Sequence, residues 1–247
     1  MQFVIQRIND KLPFDFCFEI AGGAYDFAKW RNDPYDIKYV DDGIGLGSTI
    51  IRDCVPIGSV EFVTRYYELQ YPHASKKGFI PLNVPLTLEP YAGRMIWDVN
   101  TDNVDDIFKI CENSTIFRKS SDLIKDPNNG FIKVKRPEDI LNSQISADIG
   151  DNILSEWRVF VYHDKIRYIA NYSGDCTVFP DVSQIHEMVD IYKKEAPVAY
   201  TLDVYVNNNC TYVMKCHRFF SCGLYGFNDY SILPYMFSQE WHEIITL

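Results

Sequence analysis

The chain of 247 residues has no Cys-x-x-Cys pair, no internal repeat and no low-complexity segment. Its seven cysteines (Cys17, Cys54, Cys111, Cys176, Cys210, Cys216 and Cys222) are odd in number and irregularly spaced. That pattern excludes a disulfide framework and a cysteine-based zinc site, and leaves buried reduced thiols. No long apolar run and no basic-then-apolar leader occurs, so neither a membrane span nor a signal peptide is expected, and the chain reads as cytoplasmic. Positive charge is scarce as well. Against 34 Asp and Glu stand 24 Lys and Arg, a net charge of −10. Such a chain has no general attraction for nucleic-acid phosphates, and no direct nucleic-acid binding is expected. A local basic cleft for a nucleotide stays open, and so does a protein partner for the acidic surface.

What is plentiful is apolar and aromatic side chains, 47% and 15% of the residues. At this length they suffice to bury a core, and nothing in the chain looks disordered. Residues 1–110 are expected to mix short strands with turns. Phe14–Ile20 is apolar at every second residue or better until Gly22-Gly23, and Pro56–Val63 reads as a turn followed by a strand. Leu82–Leu86 is too proline-rich for a central strand. Gly43, Gly45, Gly47 and Ser48 lack the Gly-Lys-Ser/Thr ending of a phosphate loop, and a turn is expected there. Thr101–Cys111 places Val104, Ile107, Phe108 and Cys111 on one helical face.

From Thr115 the pattern changes. Strands are expected at Thr115–Lys119, Phe131–Lys135, Trp157–Tyr162 and Ile166–Tyr172, and Pro137-Glu138-Asp139 opens a short helix. Ser183–Lys194 puts Ile185, Met188, Val189 and Tyr192 on one face of a helix, and Tyr235–Ile245 reads as a closing helix. Hairpins with helices on one side imply an α+β fold.

The densest chemistry lies in a hairpin, Thr201–Val206 and Tyr212–His217, joined by Asn207-Asn208-Asn209-Cys210. Alternation puts Thr201, Asp203 and Tyr205 on one face and groups Val213, Lys215 and His217 on the partner strand. Leu202, Val204, Met214 and Cys216 fall on the other face. Asp203 and Lys215 then sit roughly opposite each other. A carboxylate amid apolar strand residues needs a metal or a cationic partner. At ~4 Å and an effective dielectric of ~20, a Lys–Asp attraction is about 4 kcal/mol before desolvation. Similarly, Arg158 in the otherwise apolar strand Trp157–Val161 needs an anion.

This set of motifs resembles the C-terminal half of the ATP-grasp superfamily, over roughly Thr115 to Phe227. Asp203 resembles the family's metal-binding Asp, and the next strand resembles its Glu-x-Asn or Glu-x-His strand. Ser221-Cys222-Gly223-Leu224-Tyr225-Gly226 resembles a loop of a compact, often phage-encoded subgroup. Ser155–Val161 resembles the Glu-x-Arg-Val-Phe strand, and Ile116-Phe117-Arg118-Lys119 the strand of the nucleotide-binding lysine. The resemblance implies antiparallel sheets and helices forming two lobes around a nucleotide cleft, after a small N-terminal α/β region. The expected division is 1–114 and 115–247, with lobes at 115–153 and 154–247.

It further implies an ATP-dependent carboxylate–amine ligase working through an acyl phosphate, on a small-molecule or peptide substrate. Lys119 and Lys125 would meet phosphates, and Glu156 the ribose. Arg158 would bind phosphate or acyl-phosphate oxygen, with Arg167 as a second anion ligand. Asp203 would hold magnesium, and His217 would orient a substrate carboxylate. Glu61 and Arg94 are candidates for recognising the second substrate. The chain departs from the family at Lys215, where a metal-binding Glu is expected; its ammonium offers magnesium no ligand and could take the metal's place. That departure keeps a second reading alive, a nucleotide-binding or inhibitory protein without turnover on the same scaffold. A third, a transferase using Cys222, lacks a positioned base.

Overall fold

The computed structural model describes residues 1–41, 45–112, 117–119, 131–132, 136–147 and 153–247. Three sheets organise it. The first is parallel, in the order β2 (Asp36–Asp41), β1 (Gln2–Arg7), β3 (Val55–Ile57). Phe3, Val4 and Ile5 of the central strand are fully buried, the continuous apolar run of a strand covered on both faces. Around it lie α1 (Asp15–Ala21), α2 (Gly23–Trp30) and α3 (Val60–Gln70).

Two helices stand where strand-like alternation was expected. In α1 the buried residues are Phe16, Cys17 and Ile20, while Phe18 is 64% exposed. The alternation of Phe14, Phe16, Phe18 and Ile20 therefore coincided with a helical face and one solvent-facing ring. In α3, Ser59 caps the start by accepting a hydrogen bond from the Phe62 amide (3.1 Å). Phe62, Val63, Tyr66 and Tyr67 then form the buried stripe.

The second sheet is antiparallel, in the order β4 (Ile96–Asp98), β7 (Gln144–Ala147), β5 (Phe117–Lys119), β6 (Phe131–Ile132). α4 (Val104–Glu112) accompanies it, and Val99, Ile107, Ile140 and Ile145 form its small core. Pro137–Asp139 is a single 3-10 turn.

The third sheet, also antiparallel, runs β11 (Cys210–Arg218), β10 (Ala199–Asn207), β8 (Ser155–Tyr162), β9 (Lys165–Gly174). Both hairpins turn on two consecutive left-handed residues, His163-Asp164 and Asn208-Asn209, the conformation that matches the strands' twist. α5 (Val182–Tyr192) is capped by Asp181, which accepts from the Ser183 and Gln184 amides. Its Ile185, Met188, Val189 and Tyr192 pack on Trp157, Val159, Val161, Leu202 and Val204.

α6 (Leu233–Thr246) returns to the first sheet, where Trp241 meets the rings of Tyr66, Tyr67 and Tyr71. One core therefore joins the beginning of the chain to its end and to Phe160, Phe219 and Phe227.

Candidate functional site

The site lies on the face of the third sheet opposite α5. The β10–β11 register sets Asp203 against Lys215 and Thr201 against His217. On the other side of β10, Arg158 faces Asp203 and Glu156 faces Tyr205. Five of the expected residues, Glu156, Arg158, Asp203, Lys215 and His217, are thereby brought together.

One expected neighbour is not. The β10–β11 register slips between Asp203 and Val204, so that Val204 pairs with Val213 and Met214 is the extra residue of a bulge. The slip moves Val213 into the core against α5, away from Lys215 and His217, and Met214 does not join that core. Arg94 holds the bulge open. It donates to the carbonyls of Val213 (2.7 Å) and Met214 (2.7 Å), and to that of Ala92 (3.1 Å). Those bonds give Arg94 a structural task. Glu61 lies in the first turn of α3.

At the centre is a two-pronged ion pair. Arg158 Nε donates to Asp203 Oδ1 (2.7 Å) and Nη2 to Oδ2 (2.8 Å), a geometry that guanidinium and carboxylate share. Asp203 is 1% exposed. Burial raises its carboxyl pKa, but the Arg158 charge and hydrogen bonds outweigh that, so the group is held below its ordinary range and ionised. Burial likewise opposes the Arg158 charge, and Asp203 more than restores it.

The third edge of the guanidinium is held by the Gly223 carbonyl, which accepts from Nη1 at 3.1 Å. Its face lies against Tyr225 (5.0 Å to the ring centre) and Tyr172 (5.8 Å), two rings that stack on each other. Three of the five guanidinium N–H groups are thus engaged within the protein. Tyr172 in turn donates its hydroxyl to the Glu156 carboxylate (2.8 Å). Burial, with the nearby carboxylates, pushes the Tyr172 phenol well above its usual pKa.

His217 Nε2 is 3.8 Å from Asp203 Oδ2. Burial pushes its imidazole down to about 3, further than Asp203 can raise it, so the ring is neutral at physiological pH. Cys222 is buried, and burial pushes its thiol up to about 12. A thiolate nucleophile is therefore not available there, which removes the Cys222 transferase reading.

The remaining expected residues lie elsewhere. Arg167 sits at a second register slip, in β9, with its guanidinium over the Tyr162 ring (5.6 Å). Lys119 ends β5 in the second sheet, opposite Ile145, and Arg118 is opposite Ser146. Ile145 belongs to the core beneath α4, whereas Ile96, also opposite Ser146, packs toward the third sheet's core. The register thus assigns Arg118, and not Lys119, to the side of the second sheet nearer the third. Lys125 and Gly43 lie outside the described residues.

Nothing in the sequence pointed to Tyr172 as a cover over Arg158. The slip between Glu156 and Trp157 in the β8–β9 register makes it the extra residue of a bulge, and alternation does not foresee bulges.

Comparison with known proteins agrees with this architecture. The chain is similar to a D-alanine–D-alanine ligase from Bacillus anthracis at TM-score 0.52 and 11% identity, covering all of this chain and 96% of that one. It is similar to the ATP-grasp ligase PsnB complexed with a minimal precursor at TM-score 0.53 and 10% identity, covering 96% and 99%. The macrocyclase MdnC bound with precursor peptide MdnA, from Microcystis aeruginosa, gives TM-score 0.50 and 11% identity, covering 100% and 99%. Identities this low show the fold alone. No curated protein sequence matches significantly. A family model of the ATP-grasp domain, the second family of its clade, matches residues 91–234, more than half of the chain. With its α+β architecture and antiparallel sheets, the chain belongs to the ATP-grasp superfamily.

Proposed function

We propose that the chain is an ATP-dependent ligase that joins a carboxylate to an amine through an acyl phosphate. The observation that carries this reading is the Arg158–Asp203 pair, fixed on an open sheet face beside Glu156, Lys215 and His217. A buried guanidinium with two N–H groups to spare suits an anionic oxygen that gains charge during transfer. In the proposed reaction the γ-phosphoryl group of ATP passes to a carboxylate oxygen and ADP leaves. The amine then attacks the acyl carbon, phosphate departs and the amine gives up a proton. The acceptor is a small molecule or a peptide, as with the ligases similar in fold.

ATP would lie between the second and third sheets. Glu156 would meet the ribose, Arg158 the transferring phosphoryl group, and Lys215 a further phosphate oxygen. Arg118 or Lys119 would reach the phosphates from β5, with Lys125 following. Register favours Arg118. Residues 1–114 would form the pre-nucleotide region, with β4 the element that crosses into the lobe at 115–153; residues 154–247 would form the other lobe.

Magnesium at Asp203 does not fit this arrangement. Both carboxylate oxygens are engaged by Arg158, the group is sealed from water, and the opposing residue is Lys215. Magnesium keeps several waters and needs hard oxygen ligands. Among the described residues no cluster of three His, Cys, Asp or Glu side chains could hold a metal. The same observation favours the second reading, a nucleotide-binding protein without turnover.

The two are separated by an assay of ADP release with ATP, a panel of amino-acid and peptide carboxylates, and hydroxylamine as a general amine. Carboxylate-dependent ADP release with hydroxamate formation supports the ligase. ATP binding with no carboxylate-dependent ADP release supports the second reading.

A further inference from the structure

The loop from Phe219 to Phe227 is apolar enough to bury, yet it bends through left-handed conformations at Ser221, Tyr225 and Gly226. Two of these are not glycine, and such a path persists only when its surroundings fix it. The fixing groups come largely from the N-terminal part of the chain. Asp15, in the first turn of α1, accepts hydrogen bonds on Oδ2 from the backbone amides of Leu224 (2.7 Å) and Tyr225 (3.3 Å). The Ser221 hydroxyl donates to the Gly58 carbonyl (2.6 Å), just past β3. From the other side the Gly223 carbonyl and the Tyr225 ring bear on Arg158. The loop is therefore clamped between the carboxyl end of the parallel sheet and the guanidinium at the centre of the site.

We propose that Asp15 is a positioning residue for Arg158. By holding the amides of Leu224 and Tyr225, it sets the Gly223 carbonyl and the Tyr225 ring. These fix the plane in which the two remaining Arg158 N–H groups are offered. The inference rests on the ligase reading, in which those groups receive the γ-phosphoryl oxygen. Asp15 does not touch the nucleotide. Its loss would loosen the grip on the γ-phosphate and leave the contacts to the rest of ATP in place.

The test compares wild type, Asp15→Ala and Asp15→Asn by calorimetry with ATP and with ADP, and by amide hydrogen exchange without nucleotide. Asp15→Ala is expected to weaken ATP by about tenfold, the order of one charge-assisted hydrogen bond, with ADP affinity changed less than about twofold. Exchange at Leu224 and Tyr225 should accelerate in the same variant. Asp15→Asn keeps an acceptor oxygen and should restore most of both properties, which separates positioning from a general loss of fold. Faster exchange with an unchanged ATP-to-ADP affinity ratio would overturn the proposal, since Asp15 would then only tether the loop. Equal weakening of ATP and ADP would overturn it too. A wild type that binds neither nucleotide contradicts the ligase reading, and this proposal with it. ATP binding with an unaltered ratio in Asp15→Ala contradicts this proposal alone.

Discussion

Arg158 and Asp203 neutralise each other where water barely reaches, and each is costly to keep without the other. Replacing Asp203 by Leu leaves a buried guanidinium without its anion and should cost about 3–5 kcal/mol in urea unfolding. The double variant Arg158→Met with Asp203→Leu should recover most of that stability, because well-packed apolar groups replace a pair whose desolvation was expensive. Nucleotide binding would not return with it. A double variant no more stable than the single one would show that the unpaired guanidinium is not what destabilises the Asp203→Leu protein. His217 supplies a pH test beside it. Unfolded, its imidazole titrates near 6.5; folded, burial moves it down to about 3. As the pH falls through that window the unfolded chain takes up a proton that the folded chain refuses, so stability falls. Wild type should therefore lose stability relative to His217→Gln as pH is lowered from about 6.5 toward 3. Parallel pH profiles would contradict the assignment of a buried neutral ring.

Among the elements, the β10–β11 hairpin shows both what the sequence discloses and what it conceals. Alternation and the Asn-Asn turn were enough to set Asp203 opposite Lys215. Alternation could not reveal the extra residue at Met214, because the bulge is held by Arg94, 119 residues away from Val213 in the chain. The same limit applies at β8. Its need for an anion beside Arg158 was legible, but which carboxylate met it depended on the β8–β10 pairing. The helices α1 and α3 were hidden for another reason: short runs rich in aromatics satisfy both periods. Gly93 precedes the bulge-holding arginine with a φ of +65°, and an added Cβ would lie 2.4 Å from the Tyr212 ring. Gly93→Ala is expected to destabilise the protein by about 1–3 kcal/mol, through strain and overlap together. Chemical denaturation checks this, and a change below about 0.5 kcal/mol would mean that the segment and β11 shift apart freely.

Across the whole molecule, the N-terminal sheet and the third sheet share one core through α6 and the 219–227 loop. Arg218 on β11 donates to Glu240 (2.7 Å) and Glu243 (3.0 Å) of α6, and the two carboxylates also accept the amides of Ala199 and Val198. The helix is thus pinned to the end of the strands that carry Asp203 and His217. Sequence resemblance began near Thr115, whereas the family match begins at residue 91 and β4 already lies in the second sheet. Three-residue strands such as β4 carry too few side chains to display a period. The function proposed for this molecule turns on ATP being held by its terminal phosphate at Arg158. Calorimetric titration of ATP and ADP into the wild-type protein tests that most directly. Saturable ATP binding with a Kd below about 1 mM is expected, with weaker ADP binding, the γ-phosphate contact being worth about 1.5–3 kcal/mol. Absence of ATP binding at millimolar concentration, or equal affinity for ATP and ADP, would contradict it.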